Sequence, residues 1–203
     1  MRITHCFTAV LVWLICSTCA WSQELLFKKR TETSIILGTT PLRVAAAWQP
    51  TVEYSLLVVA EESEGEIVRH SSIILSVETS KKNLHFEKGA LLLLKTEDEE
   101  EIQLENAMTD ASIHIYDWKG YNAYIPPSKH STKNTLIVYT NRYEIPEEAL
   151  DCIRKNGIKQ LRIQTSADNI NCLHTNEKTQ LIKSYFSKAG AIVDDGLNPQ
   201  LSF

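Results

Sequence analysis

The sequence predicts an α+β protein: an antiparallel β meander or sandwich-like sheet, followed by a C-terminal strand-helix-strand-helix part. Three observations carry this. Residues 51–79 alternate apolar and polar side chains in two runs separated by a polar turn. Residues 84–106 hold a Lys88-Gly89 turn, four consecutive leucines and an acidic run, spaced for strands. After Lys133 the punctuation turns helical, with Pro146 and Gly157 bracketing an amphipathic segment. Strands in succession with short polar turns argue for antiparallel pairing.

The four leucines, Leu91–Leu94, carry no period of their own. Gly89 before them and the acids Glu97 to Glu101 after them leave no room for two helical turns, whereas a strand fits. Alternation then puts Leu91 and Leu93 on one face and Leu92 and Leu94 on the other. Burying a leucine is worth roughly 1.5–3 kcal/mol, so the sequence predicts protein on both faces. Ile102 and Leu104 alternate with Glu101, Gln103 and Glu105, which predicts a half-solvated strand nearer the sheet edge. Residues Leu84 to Glu87 are expected as the strand entering the Lys88-Gly89 turn.

At the N-terminus, Arg2 precedes the apolar run Phe7 to Ile15, and Ala20-Trp21-Ser22 supplies small residues at a cleavage site. This predicts a signal peptide over residues 1–22 and a mature chain beginning at Gln23. The run is short for a membrane span, which needs about 20 residues, so no stable span is expected after cleavage. Cys16 and Cys19 lack the small preceding residues of a lipidation site. The expected location is exported, periplasmic or extracellular. Of the five cysteines, only Cys152 and Cys172 lie beyond the signal segment, and in an oxidising compartment they are a candidate disulfide.

Residues 23–130 form the β-rich part and residues 131–203 the α/β C-terminal part, expected to pack as one domain. Glu24 to Arg30 starts apolar and turns basic. Thr33 to Leu37 reads as a short strand, and Leu42 to Trp48 reads equally as strand or short helix. Thr51 to Ala60 and Glu66 to Thr79 are strands with Val52, Tyr54, Leu56 and Val58, then Ile73, Leu75 and Val77, on shared faces. Ser112 to Trp118 is another strand, and Asp117 to Pro127 is a loop broken by Gly120 and Pro126-Pro127.

Thr135 to Thr140 is a strand. Pro146 opens a helix with Glu147 and Glu148 at its positive end, Arg154 and Lys155 near its negative end, and Gly157 as its stop. Ile158 to Thr165 is the next strand, and the strand–helix–strand spacing is compatible with a parallel crossover. A second helix runs from about Thr175 to Ala189, ended by Gly190. Ala191 to Val193 follows as a last short strand.

Function is less legible. The chain is slightly acidic, with 21 basic against 25 acidic side chains and no basic stripe, which argues against nucleic acid as a partner. His70, His85, His114, His130 and His174 show no metal-ligand spacing, so no metal or cofactor is expected. The acidic run Glu97 to Glu101 lacks the spaced ligands and turn glycine of a calcium loop and reads as a solvated hairpin tip. No Gly-x-Ser-x-Gly or His-Glu-x-x-His motif occurs, and no catalytic residue is assigned.

Trp118, Tyr121 and Tyr124, at near three-residue spacing in the Asp117–Pro127 loop, are the candidate ligand-binding residues. Flat apolar faces with polar edges suit stacking on a glycan, a peptide or a partner protein. The dull alternative is that they close the end of the core.

In general manner the chain resembles many secreted bacterial proteins. The leading expectation is an exported, non-enzymatic binding or interaction domain. A hydrolase with dispersed residues, nearest at Ser166, Asp168 and His174, is one alternative. A structural component of a cell-envelope assembly is the other. That last reading would show as an exposed apolar patch or an unpaired edge strand.

Overall fold

The structure is a computed structural model, which describes residues 24–31, 33–45, 50–63, 66–109, 112–118 and 134–197. The expected signal peptide, residues 1–22, lies outside the described residues, as does His130. In chain order the strands are β1 (Leu25–Arg30), β2 (Ser34–Thr39), β3 (Leu42–Val44), β4 (Thr51–Ser63), β5 (Glu66–Thr79), β6 (Leu91–Lys95), β7 (Glu101–Glu105), β8 (Ser112–Trp118) and β9 (Asn134–Glu144). Helix α1 (Glu147–Asn156), strands β10 (Gln160–Ile163) and β11 (Ile170–Leu173), and helix α2 (Asn176–Leu197) follow. The expected α+β class, antiparallel sheets and then a strand-helix-strand-helix tail, is what the chain adopts.

The strands form two sheets. The larger has the order β1-β2-β4-β5-β9-β8, with β3 also paired to β4; the smaller has the order β11-β10-β6-β7. Every pairing is antiparallel. The parallel crossover allowed by spacing is not made, because α1 carries the chain from β9 in one sheet to β10 in the other. The sheets meet at Asn106. It bridges to Tyr143 on β9, and its amide nitrogen donates to the carbonyls of Phe86 (3.1 Å) and Glu87 (3.0 Å).

One contiguous buried cluster joins both sheets and both helices. On β4 and β5, Val52, Tyr54, Leu56 and Val58 oppose Val77, Leu75, Ile73 and Ser71, as their alternation predicts. Helix α2 lies against β1 to β4 with Ile182, Phe186, Ala189 and Val193 fully buried. The Tyr185 hydroxyl fixes its height by donating to the Thr40 carbonyl (2.9 Å) and meeting Thr39 Oγ1 (2.8 Å).

The four leucines are extended in β6, an interior strand, and β7 is the edge, as expected. Only one face is fully covered. Leu92 and Leu94 are buried, whereas Leu91 is half-buried and Leu93 is 36% exposed. Leu93 lies between Gln103 and Arg162, and such long side chains shade an apolar neighbour without sealing it.

Several boundaries need correction. Leu84 to Glu87 is irregular rather than a strand. Its polar backbone is met by side chains and by Ser166 rather than by a ladder, and Leu84 and Phe86 still fill the core. Helix α2 does not stop at Gly190 but continues to Leu197, so the last short strand does not exist. A Cβ on Gly190 would sit 2.8 Å from Arg154 Nη2, so this glycine serves a close approach. Burial of Val193 on the next turn outweighs the roughly 1 kcal/mol helical cost of glycine. Helix α1 has its expected charges, and Gly157 (φ 70°) donates its N–H to the Ile153 carbonyl at 2.8 Å.

The candidate Cys152–Cys172 disulfide is not formed; both are free thiols. Cys172 is on β11, one edge of the smaller sheet. The Cys152 thiol, on α1, donates to Glu100 (3.0 Å) beside β7, the other edge. Three strand spacings separate those edges, roughly 14 Å, far beyond the reach of a disulfide.

Candidate binding cleft

Trp118 closes β8, and Tyr121 and Tyr124 lie outside the described residues. The dispersed-hydrolase residues can be placed, and they do not meet. Ser166 N–H donates to the His85 carbonyl (2.9 Å), and Asp168 pairs with Lys81 (2.6 Å), both at the turn end of the β10–β11 hairpin. His174 N–H donates to the Lys159 carbonyl at the opposite end. Three strand steps, about 10 Å, keep the imidazole from the serine. Its Nε2 instead meets the Tyr54 hydroxyl at 2.9 Å, inside the core.

A second cluster joins Asp98, Glu100 and Cys152, whose ligand atoms lie within 4.8 Å of one another. Its groups are already spent on each other and on their neighbours. Asn156 Nδ2 donates to Asp98 (2.7 Å), Thr96 Oγ1 donates to the same carboxylate, and the thiol donates to Glu100. Burial, and then the Glu100 carboxylate, hold the thiol above its usual pKa, which keeps it protonated. Nearby, Glu99 bridges Lys159 and Lys95, and those cations lower its pKa to about 2. The acidic hairpin tip thereby ties the β6–β7 turn to α1 and β10.

The third place is a cleft of about 320 Å³ where β5 passes the start of α1. Arg69, His70, Ser71, Glu144, Ile145, Pro146 and Glu147 line it. Alternation along β5 puts Arg69 and Ser71 on the inner face, continuing the row of Ile73, Leu75 and Val77. Ile145 N–H donates to the Ser71 carbonyl (3.0 Å), which brings the start of α1 against this strand. The first N–H groups of any helix lack an intrahelical acceptor, and Pro146 at the N-cap of α1 supplies no side-chain cap.

Two of the residues that line the cleft also carry buried, unpaired polar atoms. Arg69 Nη1 donates to Asp194 on α2 (2.7 Å). Its Nε and Nη2 are buried without an acceptor among the described residues, and so is the Ser71 hydroxyl, in a residue only 6% exposed. Nε and Nη2 form one fork of the guanidinium, shaped for two oxygens of a planar anion. Arg154 leaves the same two atoms unpaired, but its fork abuts the backbone at Gly190, which leaves no room for a ligand.

An unpaired buried hydroxyl costs roughly 1–3 kcal/mol. Ser71→Ala is therefore expected to raise stability by about 1 kcal/mol, read by chemical denaturation. A loss of similar size would show that the hydroxyl is paired after all. Sequence reading missed Arg69 and Ser71 because neither belongs to a motif. The available signal was two polar residues at i and i+2 continuing an otherwise apolar face.

Outside the cleft, β8 is an edge of the larger sheet, and Ile113 (43%) and Ile115 (66%) are exposed on it. No helix among the described residues is long and apolar enough to cross a membrane. No known protein family, curated protein sequence or solved structure matches this chain.

Proposed function

We propose that this chain is an exported, non-enzymatic binding domain whose ligand sits in the cleft between β5 and the start of α1. The observation that carries the reading is a cleft of about 320 Å³ lined by the polar residues Arg69, Ser71, Glu144 and Glu147. That volume is at the small end of ligand pockets. It suits a small molecule or the end of a peptide rather than a protein surface. Export rests on the basic start, the apolar run and the Ala20-Trp21-Ser22 site of the N-terminus. The non-enzymatic reading rests on the cleft's own chemistry. Its serine hydroxyl has no base within hydrogen-bond reach among the described residues.

The test is an amide NMR titration against a panel of small neutral, cationic, anionic and zwitterionic compounds. Binding should move the amide signals of Ser71, Ile145 and Glu147 together. Shifts clustered elsewhere, or none across the panel, would refute the cleft as the ligand's seat.

A further inference from the structure

The corner where β11 hands over to α2 is held by one side chain. Cys172 and Thr179 are buried, and between them run Leu173, His174, Thr175, Asn176, Glu177 and Lys178. Leu173, Thr175, Asn176 and Glu177 are exposed and Lys178 is half-buried, so His174 is the only buried residue of this stretch. Its ring reaches across to β4, where Nε2 meets the Tyr54 hydroxyl at 2.9 Å and the two rings stand edge-on at 6.2 Å. Its backbone N–H donates to the Lys159 carbonyl at 2.8 Å. The body of α2 has anchors of its own further along, in Ile182, Phe186, Ala189 and Val193.

The ring's surroundings suit it only while it is neutral. An imidazolium carries two N–H donors, and each then needs an acceptor. Nε2 has Tyr54, but Nδ1 is buried without a partner among the described residues. The groups that face the ring offer no negative charge in return. Tyr54 on β4 and Cys172 on β11 are held neutral by burial, and the Lys178 ammonium on α2 disfavours a second cation. Lys159 faces the corner with its carbonyl and keeps its ammonium on Glu99. Glu177, the corner's own carboxylate, is exposed to solvent.

We infer that His174 is a proton-operated latch, whose protonation lets the corner Leu173–Lys178 swing off β4 while both sheets and the body of α2 stay folded. Water then supplies the missing acceptors. The opening gives up the Tyr54 contact, the Lys159 bond and the Lys178 contact to the Ala45 carbonyl. It takes no apolar side chain out of the core, because the corner contributes none. Burial, and then Lys178, hold the seated ring at a pKa of about 4, against 6.5 for a solvated one. The open corner therefore binds the proton more tightly, and opening gains about tenfold for each unit the pH falls between those values. Above pH 6.5 the ring is neutral in either position and the corner stays shut.

The experiment is amide hydrogen exchange on the full-length protein at pH 7 and pH 5, with each rate corrected for the intrinsic pH dependence of exchange. The probes are the N–H groups of His174 and Thr179, bonded to the carbonyls of Lys159 and Thr175. Their protection should fall roughly 20-fold from pH 7 to pH 5. Ile145, whose N–H is held by the Ser71 carbonyl on β5, is the control and should not change. His174→Gln and His174→Phe should each remove the pH dependence. Phenylalanine fills the same space without titrating, so it decides if the glutamine variant does not fold. A fall shared equally by Ile145 would mean that the proton is taken up by global unfolding, and the latch fails although His174 still titrates. Unchanged protection at His174 and Thr179, or a fall that survives in His174→Phe, overturns it as well.

Discussion

Phe186→Ala should cost about 3–5 kcal/mol of stability, the range for truncating a buried aromatic side chain. Phe186 is fully buried on α2. Its ring meets Tyr54 of β4 edge-on at 6.2 Å and Tyr185 edge-on at 5.2 Å. Alanine would remove the apolar area and also open a cavity between helix and sheet that rigid strands cannot close. Phe186→Leu keeps most of the volume and should cost less than about 1.5 kcal/mol. The contrast is readable from urea midpoints at constant m-value. A loss under 1 kcal/mol for alanine would mean that α2 is not integral to the core. The cleft would then lose its support too, since Arg69 is anchored through Asp194 on that same helix.

How much of this was visible in the chain depends on element length. Strands β4, β5 and β7 follow their alternation, because five or more residues establish a period of two. Strand β11 was invisible: it is only four residues long, and polar turn residues flank it closely. Helix α1 was readable from Pro146, its charges and Gly157. The end of α2 was misread because glycine signals both a helix stop and a close approach, and only the position of Arg154 separates the two. The coverage of β6 failed for a related reason. Leucine content says that burial is favourable, not that a layer exists to supply it. The cleft was hidden more deeply, since Arg69 and Asp194 are 125 residues apart and their contact exists only after α2 has docked.

Acidification should destabilise the protein by roughly 3 kcal/mol between about pH 6.5 and pH 4, through His174 alone. The residue is 5% exposed, and its Nδ1 has no partner among the described residues. Burial, and then the Lys178 charge, lower its pKa to about 4 from the usual 6.5. Tyr54 from β4 and Cys172 from β11 also face this corner, and both stay neutral there because burial raises their pKa values. Above pH 6.5 the imidazole is neutral in folded and unfolded chains alike, so nothing is lost. Between 6.5 and 4 the unfolded chain takes up a proton that the folded chain refuses, and stability falls with pH. Below 4 both forms are charged, and this contribution levels off. The carboxylates held low by ion pairs, Glu99 and Asp168, act only below their ordinary values of 4.5 and 3.8, so the upper part of the window is free of them. Denaturation curves at pH 7, 5.5 and 4.5 should therefore show a decline that His174→Gln removes, even if that variant is less stable at neutral pH. An unchanged slope in the variant would place the titrating group elsewhere. A slope of opposite sign in the native protein would mean that the imidazolium is stabilised where it sits, against everything its buried surroundings imply.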